Sequence, residues 1–175
     1  YSNSPGISSG NTDMYLIKID KEGNLLWQVA YGNAVFPNHE WAYDLFQLPE
    51  EGFIVVGSRD RYGTESRNIL IINIDAERKL VWEKEIKTNG YVDEVAYSIS
   101  SANDSDFFIC TMVNSTDKQN IFQPQVFKID TYGNIGWKRI FNSNSREYHR
   151  FSAASTQSGD LVIVGSFTQD LALGQ

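Results

Sequence analysis

The chain has little of what most catalytic and metal-binding folds rely on. Of its 175 residues, one is cysteine and two are histidine. A single thiol, Cys110, excludes an internal disulfide. Its place in the apolar run Phe107-Phe108-Ile109-Cys110 makes it a small core side chain rather than a reactive group. His39 and His149 share no cluster of further ligands, so no zinc site is expected. No apolar run approaches the roughly 18–20 residues that span a bilayer. Runs such as Ile69-Leu70-Ile71-Ile72 have only strand length, and direct membrane insertion is not expected. Basic clusters are missing too. Net charge is −7, the pI is near 4.8, and Lys and Arg are scattered singly. Tight nucleic-acid binding needs clustered cations against phosphate and is excluded on that ground. There is no Gly-x-Ser-x-Gly elbow, no Gly-rich phosphate cradle and no helix-length 3.6-residue periodicity. Carboxylate pairs occur no more than an acidic chain brings by chance, which gives a glycosidase no support. No catalytic residue, cofactor or metal ligand is assigned.

What the chain does have is a repeat. Ile19-Asp20-Lys21-Glu22-Gly23-Asn24-Leu25-Leu26-Trp27 returns as Ile74-Asp75-Ala76-Glu77-Arg78-Lys79-Leu80-Val81-Trp82. It returns again as Ile129-Asp130-Thr131-Tyr132-Gly133-Asn134-Ile135-Gly136-Trp137, each time 55 residues on. A period held that closely marks a repeat architecture, in which each unit buries its apolar face on a neighbour. The Asp side chain suits a tight turn by accepting the amides that come after it, and Gly supplies positive φ. In the second copy Arg78 or Lys79 must take the glycine's place, at a cost in strain.

Alternating or continuously apolar segments flank every turn. Strands are expected at 13–20, 25–31, 41–48, 53–58, 67–75, 80–87, 95–102, 107–112, 125–130, 135–141, 150–156 and 161–167. Four short strands per repeat of about 55 residues, joined by short turns, describe one blade of a β-propeller. The fold class is therefore all-β, a β-propeller segment of four-stranded antiparallel blades. A sandwich has no reason for such repetition, and a β-helix would use a shorter coil. The first strand of each blade is placed innermost and the Trp strand at the rim. All of 1–175 then belongs to one propeller domain. It comprises an outer half-blade (11–31), a blade (41–87), a second blade (94–141) and an inner half-blade (149–168). Three blade-equivalents cannot close, since closed propellers have at least four blades. The remaining blades are expected from sequence outside these residues, the chain being a piece of a longer polypeptide. The other arrangement is two copies closing a six-bladed ring.

The motif Asp-x-x-Gly-x-x-x-Trp, preceded by an apolar Lys-Ile strand, resembles pyrroloquinoline-quinone-type propeller repeats. Residues 19–27 and 129–137 carry it whole, and the Asp75 copy lacks the Gly. The Ala-Tyr strand, Gly turn and Val-Val-Gly-Ser also look like propeller repeats of secreted and surface-exposed bacterial proteins. The resemblance implies an extracytoplasmic location: secreted, cell-surface or periplasmic. It implies a non-enzymatic scaffold or binding module presenting loops to a protein or glycan partner. The alternative it leaves is a fragment of a quinoprotein dehydrogenase with its cofactor on the propeller axis. Fold likeness does not choose between these.

Recurrence at equal blade positions assigns Trp27, Trp82 and Trp137 to packing between blades, and Asp20, Asp75 and Asp130 to turns rather than calcium. A possible binding surface lies where the inner strands begin. His39, Glu40, Trp41, Tyr43, Glu94, Tyr97 and His149 are expected to cluster there, near one mouth of the channel.

Overall fold

A computed structural model of the chain describes residues 12–32, 38–60, 66–103, 105–115, 122–141 and 150–166. They are all-β, with no helix among them. Twelve strands occur in order. They are β1 (Met14–Ile19), β2 (Leu25–Tyr31), β3 (His39–Gln47), β4 (Phe53–Asp60), β5 (Arg67–Ile74) and β6 (Leu80–Ile86), then β7 (Tyr91–Ser101), β8 (Asp106–Ser115), β9 (Phe122–Asp130), β10 (Ile135–Ile140), β11 (Ser152–Ser155) and β12 (Leu161–Val164). Two four-stranded antiparallel sheets, β3-β4-β5-β6 and β7-β8-β9-β10, are flanked by the two-stranded sheets β1-β2 and β11-β12. None closes on itself.

The apolar runs are continuous because the sheets stack and bury both faces. Ile54, Val56, Ile69 and Ile71 of the first four-stranded sheet meet Ala96, Ile99, Phe107, Ile109, Phe127 and Ile129 of the second. On the first sheet's other face, Val55, Leu70, Ile72 and Ile74 meet Met14 and Leu16 of β1. Phe108, Cys110 and Val126 lie between the second sheet and the β11-β12 hairpin. Each fully buried Ile contributes roughly 1.5–3 kcal/mol of transfer free energy, so the joints between sheets carry much of the stability.

The repeat extends to irregularities. The ladder shifts register between Lys18 and Ile19, between Asn73 and Ile74, and between Ile135 and Trp137, leaving Leu26, Val81 and Gly136 unpaired. Each is a bulge immediately before a repeated Trp, where it turns that side chain toward the next sheet. A second pair of bulges leaves Tyr43 and Tyr97 unpaired in β3 and β7. Their rings meet across the sheet joint, 5.1 Å apart.

Five strands, β3, β4, β7, β8 and β9, run longer than the sequence suggests. β4 continues to Asp60, β7 starts at Tyr91 behind a turn on Gly90, and β9 reaches back through Pro124. Proline is tolerated because its missing N–H falls where the β9–β10 ladder ends, with Phe141 N donating to the Pro124 carbonyl.

Candidate functional site

The Asp turns are built from the carboxylate outward. Asp20 Oδ1 accepts the amides of Glu22 (3.0 Å) and Asn24 (2.8 Å), and its Oδ2 accepts Asn24 Nδ2 at 2.9 Å. Asp130 repeats the pattern with Tyr132 and Asn134, at 2.9, 2.8 and 2.8 Å. The side chain and amide of Asn24 hold the Asp20 carboxyl below its ordinary range. At Asp130 desolvation opposes ionisation, but the bonds from Asn134 and Tyr132 together outweigh it. Asp75 accepts Lys79 N at 2.8 Å, and Arg78 takes the glycine's place with φ at 67°.

The Asp75 and Asp130 turns each receive the Trp of the sheet before them. Trp82 Nε1 donates to Thr131 O at 3.1 Å and its ring lies over Gly133, where a Cβ would stand 2.9 Å from Trp82 Cη2. Trp27 lies beneath the Arg78 guanidinium, 6.0 Å from ring centre to Cζ, and edge-on to Phe53. Tyr31 Oη donates to the Arg78 carbonyl at 2.8 Å. Trp137 has no further Asp turn beyond it among the described residues and is 38% exposed, resting on Phe108 of its own sheet.

The surface expected at the start of β3, β7 and β11 is only partly assembled. His39 and Trp41 stack at 5.8 Å, and His39 Nδ1 lies 3.2 Å from both the amide and the hydroxyl of Thr12. Tyr43 and Tyr97 form the aromatic pair described above, and burial pushes the Tyr97 phenol up to about 12. His149 lies outside the described residues.

Glu40 and Glu94 depart from the expectation. They are 1% and 0% exposed and present no surface. The cause is strand extension: β3 and β7 begin before these residues, which then alternate inward instead of standing at a mouth. Each is taken up by groups of its own surroundings, Glu40 by Arg59 of β4 and Glu94 by the Thr88 amide ahead of β7.

Glu40 Oε1 accepts Arg59 Nε at 2.8 Å, while Arg59 Nη1 reaches Glu83 at 2.6 Å and Glu85 at 3.5 Å. One guanidinium is shared by three carboxylates. Burial raises the Glu40 pKa in spite of Arg59, whose own charge is held against burial by Glu83 and Glu40. Glu94 Oε2 accepts Thr88 N at 2.7 Å, and its Oε1 is buried without a partner. Burial raises this carboxyl as well, ahead of the opposing Thr88 bonds.

Several joint-forming residues were not singled out from sequence. Arg67 clamps Asp93 at 2.7 and 2.8 Å, tying β5 to β7. Asp44 Oδ2 accepts Ser98 Oγ (2.9 Å) and Ile99 N (3.0 Å), and Ser98 Oγ accepts Ala153 N at 3.2 Å, a thread through β3, β7 and β11. Their spacing of 54 and 55 was the one available signal, and differing residue types hid it.

Among the described residues no three His, Cys, Asp or Glu side chains converge on a metal position. Two open clefts of about 510 and 540 Å³ lie between neighbouring sheets, one beside Phe46, Pro49 and Asn103, the other beside Glu83, Lys84 and Asn134. The arrangement holds shape: Arg59 ties three carboxylates together, Glu94 is enclosed on the Thr88 amide, and the half-buried aromatics of the expected site are His39, Trp41 and Tyr43. No protein-family model matches the chain, and no curated protein shows significant similarity to it.

Proposed function

We propose that the chain is part of a β-propeller scaffold that binds a protein or glycan partner through its loops and carries no catalysis of its own. The sheets would be blades of a ring whose other members come from sequence outside these residues. In keeping with the repeat resemblance, the protein would work outside the cytoplasm, secreted or on a bacterial surface. The observation that carries this reading is the recurring joint between successive sheets, with Trp82 on the Asp130 turn and Trp27 against the Asp75 turn. A stack jointed in register is rigid, and rigidity lets loops present polar groups in fixed positions at low entropic cost. The stacked His39–Trp41 pair is the part of the surface best suited to a sugar ring or a peptide.

The test is a glycan array together with affinity capture from the surface fraction of the source cells, using the chain and its Trp41→Ala and His39→Ala variants. Saturable binding that drops at least tenfold in the variants is expected. Dye reduction on adding quinone and calcium, with no partner captured, would replace the scaffold by a quinoprotein.

A further inference from the structure

Asn89-Gly90 is the one Asn-Gly pair in the chain, and it lies on the link that carries the chain from the first four-stranded sheet to the second. Thr88, Asn89, Gly90 and Tyr91 form a turn closed by Tyr91 N on the Thr88 carbonyl at 3.2 Å, with Gly90 at a φ of 84°. We propose that this turn is a site of spontaneous covalent modification, in which the Gly90 amide nitrogen attacks the Asn89 side chain and converts it to aspartate and isoaspartate. The Gly90 nitrogen gives its proton to hydroxide and bonds to Asn89 Cγ. The Cγ–Nδ2 bond breaks, and Nδ2 takes a proton from water and leaves as ammonia. A second water opens the resulting five-membered imide. Attack at Cγ restores the ordinary peptide bond and leaves aspartate, while attack at the main-chain carbonyl carbon routes the backbone through the side chain as isoaspartate. No electrons are gained or lost in either branch.

Two observations single out Asn89 among the asparagines of the turns. Asn24, Asn103 and Asn134 are tied down: their Nδ2 groups donate to Asp20, Asp106 and Asp130 at 2.9, 2.8 and 2.8 Å. A tethered amide cannot swing onto the nitrogen after it, and in each case the next residue carries a side chain. The exposed Asn89 side chain has no hydrogen bond among the described residues. A Cβ on Gly90 would meet nothing within 4 Å, so the approach to the Gly90 nitrogen is open. The product matters because Thr88, just ahead, is where three strands meet. This 8% exposed residue gives its amide to Glu94 of β7 at 2.7 Å, and its hydroxyl lies 3.5 Å from Lys138 Nζ of β10, while β6 ends two residues before it. Isoaspartate adds a main-chain carbon next to Thr88, about 1.5 Å of extra path in a turn of four residues. The Thr88 amide then shifts from Glu94, a 0% exposed carboxyl whose other oxygen already lacks a partner.

Incubation of the folded chain in mildly alkaline buffer, followed by digestion and tandem mass spectrometry, tests the site. Asn89 should gain about one dalton, as –NH2 gives way to –OH, at a rate that rises with pH. Asn24, Asn103 and Asn134 should convert at least tenfold more slowly. Isoaspartate-specific methyl transfer should label position 89 in the incubated chain and not in Asn89→Gln, whose side chain would have to close a six-membered ring. The isoaspartyl form, separated by ion exchange, should melt several degrees below the parent. Freshly purified Asn89→Asp adds the charge without the extra carbon and should melt with the parent. Conversion at Asn89 no faster than at the tethered asparagines, or equal labelling of Asn89→Gln, would overturn the site. An isoaspartyl form that melts with the parent would overturn its hold on Thr88 and Glu94. The chemistry needs only the turn, so it and the binding role can fail separately.

Discussion

Trp82 and Trp137 occupy one position of two successive repeats, but among the described residues only Trp82 of the two has the turn of a next sheet to dock on, which makes the pair a measurement of the joint itself. Trp82→Phe keeps an aromatic ring but loses the 3.1 Å bond from Nε1 to the Thr131 carbonyl. A neutral hydrogen bond is worth about 0.5–1.5 kcal/mol, and the smaller ring gives up part of its contact with the Gly133 turn. The expected loss is about 1–2 kcal/mol. Trp137→Phe removes no such bond from a side chain that is 38% exposed, and should stay within about 0.5 kcal/mol. Alanine widens the gap: roughly 3 kcal/mol for Trp82→Ala against about 1 kcal/mol for Trp137→Ala. Urea titration at a concentration where the chain is monomeric reads these directly. With a slope near 2 kcal/mol per molar, a 1.5 kcal/mol loss moves the midpoint by about 0.7 M at unchanged slope. Equal losses at the two positions would mean that the docked turn contributes nothing, and the inter-sheet account of the repeat would fall.

The same contacts give three further expected outcomes. Arg59→Met leaves Glu40 buried without its cation and should cost about 3–5 kcal/mol by chemical denaturation, with Glu40→Gln added to it recovering part; a neutral Arg59→Met would contradict the buried pairing. The Glu94 pKa is raised in the folded chain, so its stabilising protonated form is fully present below the unfolded value of 4.5 and is lost as pH rises through the folded value. Glu94→Gln should therefore stabilise the chain at pH 7–8, give no gain near pH 4, and remove a slope of up to about 1.4 kcal/mol per pH unit from the stability curve. Gly133→Ala and Gly23→Ala both force alanine to positive φ at about 1–2 kcal/mol, but only Gly133 lies against a Trp ring. Its variant should unfold at lower temperature than Gly23→Ala, by several degrees.

The Asp-to-Trp hairpins were legible in sequence because everything they need is local: a carboxylate, the amides just after it, and a residue that accepts positive φ. That Arg78 or Lys79 must take the glycine's place could be foreseen too, and it is Arg78 that does. The strand order within each sheet came from short turns that leave antiparallel neighbours no alternative. Long-range effects were hidden. Glu40 and Glu94 sit in polar stretches that look like solvated loops, and only Arg59, 19 residues away, and Thr88 reveal that they are inside. β9 begins at Phe122 and not at 125, running through Pro124, whose missing N–H falls at the end of a ladder that the sequence does not show. β11 is shorter than expected, Ser152–Ser155 in place of 150–156, on a hairpin that among the described residues packs against a neighbour on one side only. A 55-residue period establishes that units are equivalent. It does not contain the angle between one sheet and the next.

Cys110 lies in the joint between the second sheet and the β11–β12 hairpin, and burial pushes its thiol up to about 12. A thiol that protonated and that enclosed does not meet a reagent while the stack is whole. Every modification event is then a record of the last hairpin having lifted, and the labelling rate counts those liftings. The molecule carries its own gauge of how firmly the β11–β12 hairpin is fastened, and a partner that clasps that hairpin should stop the count.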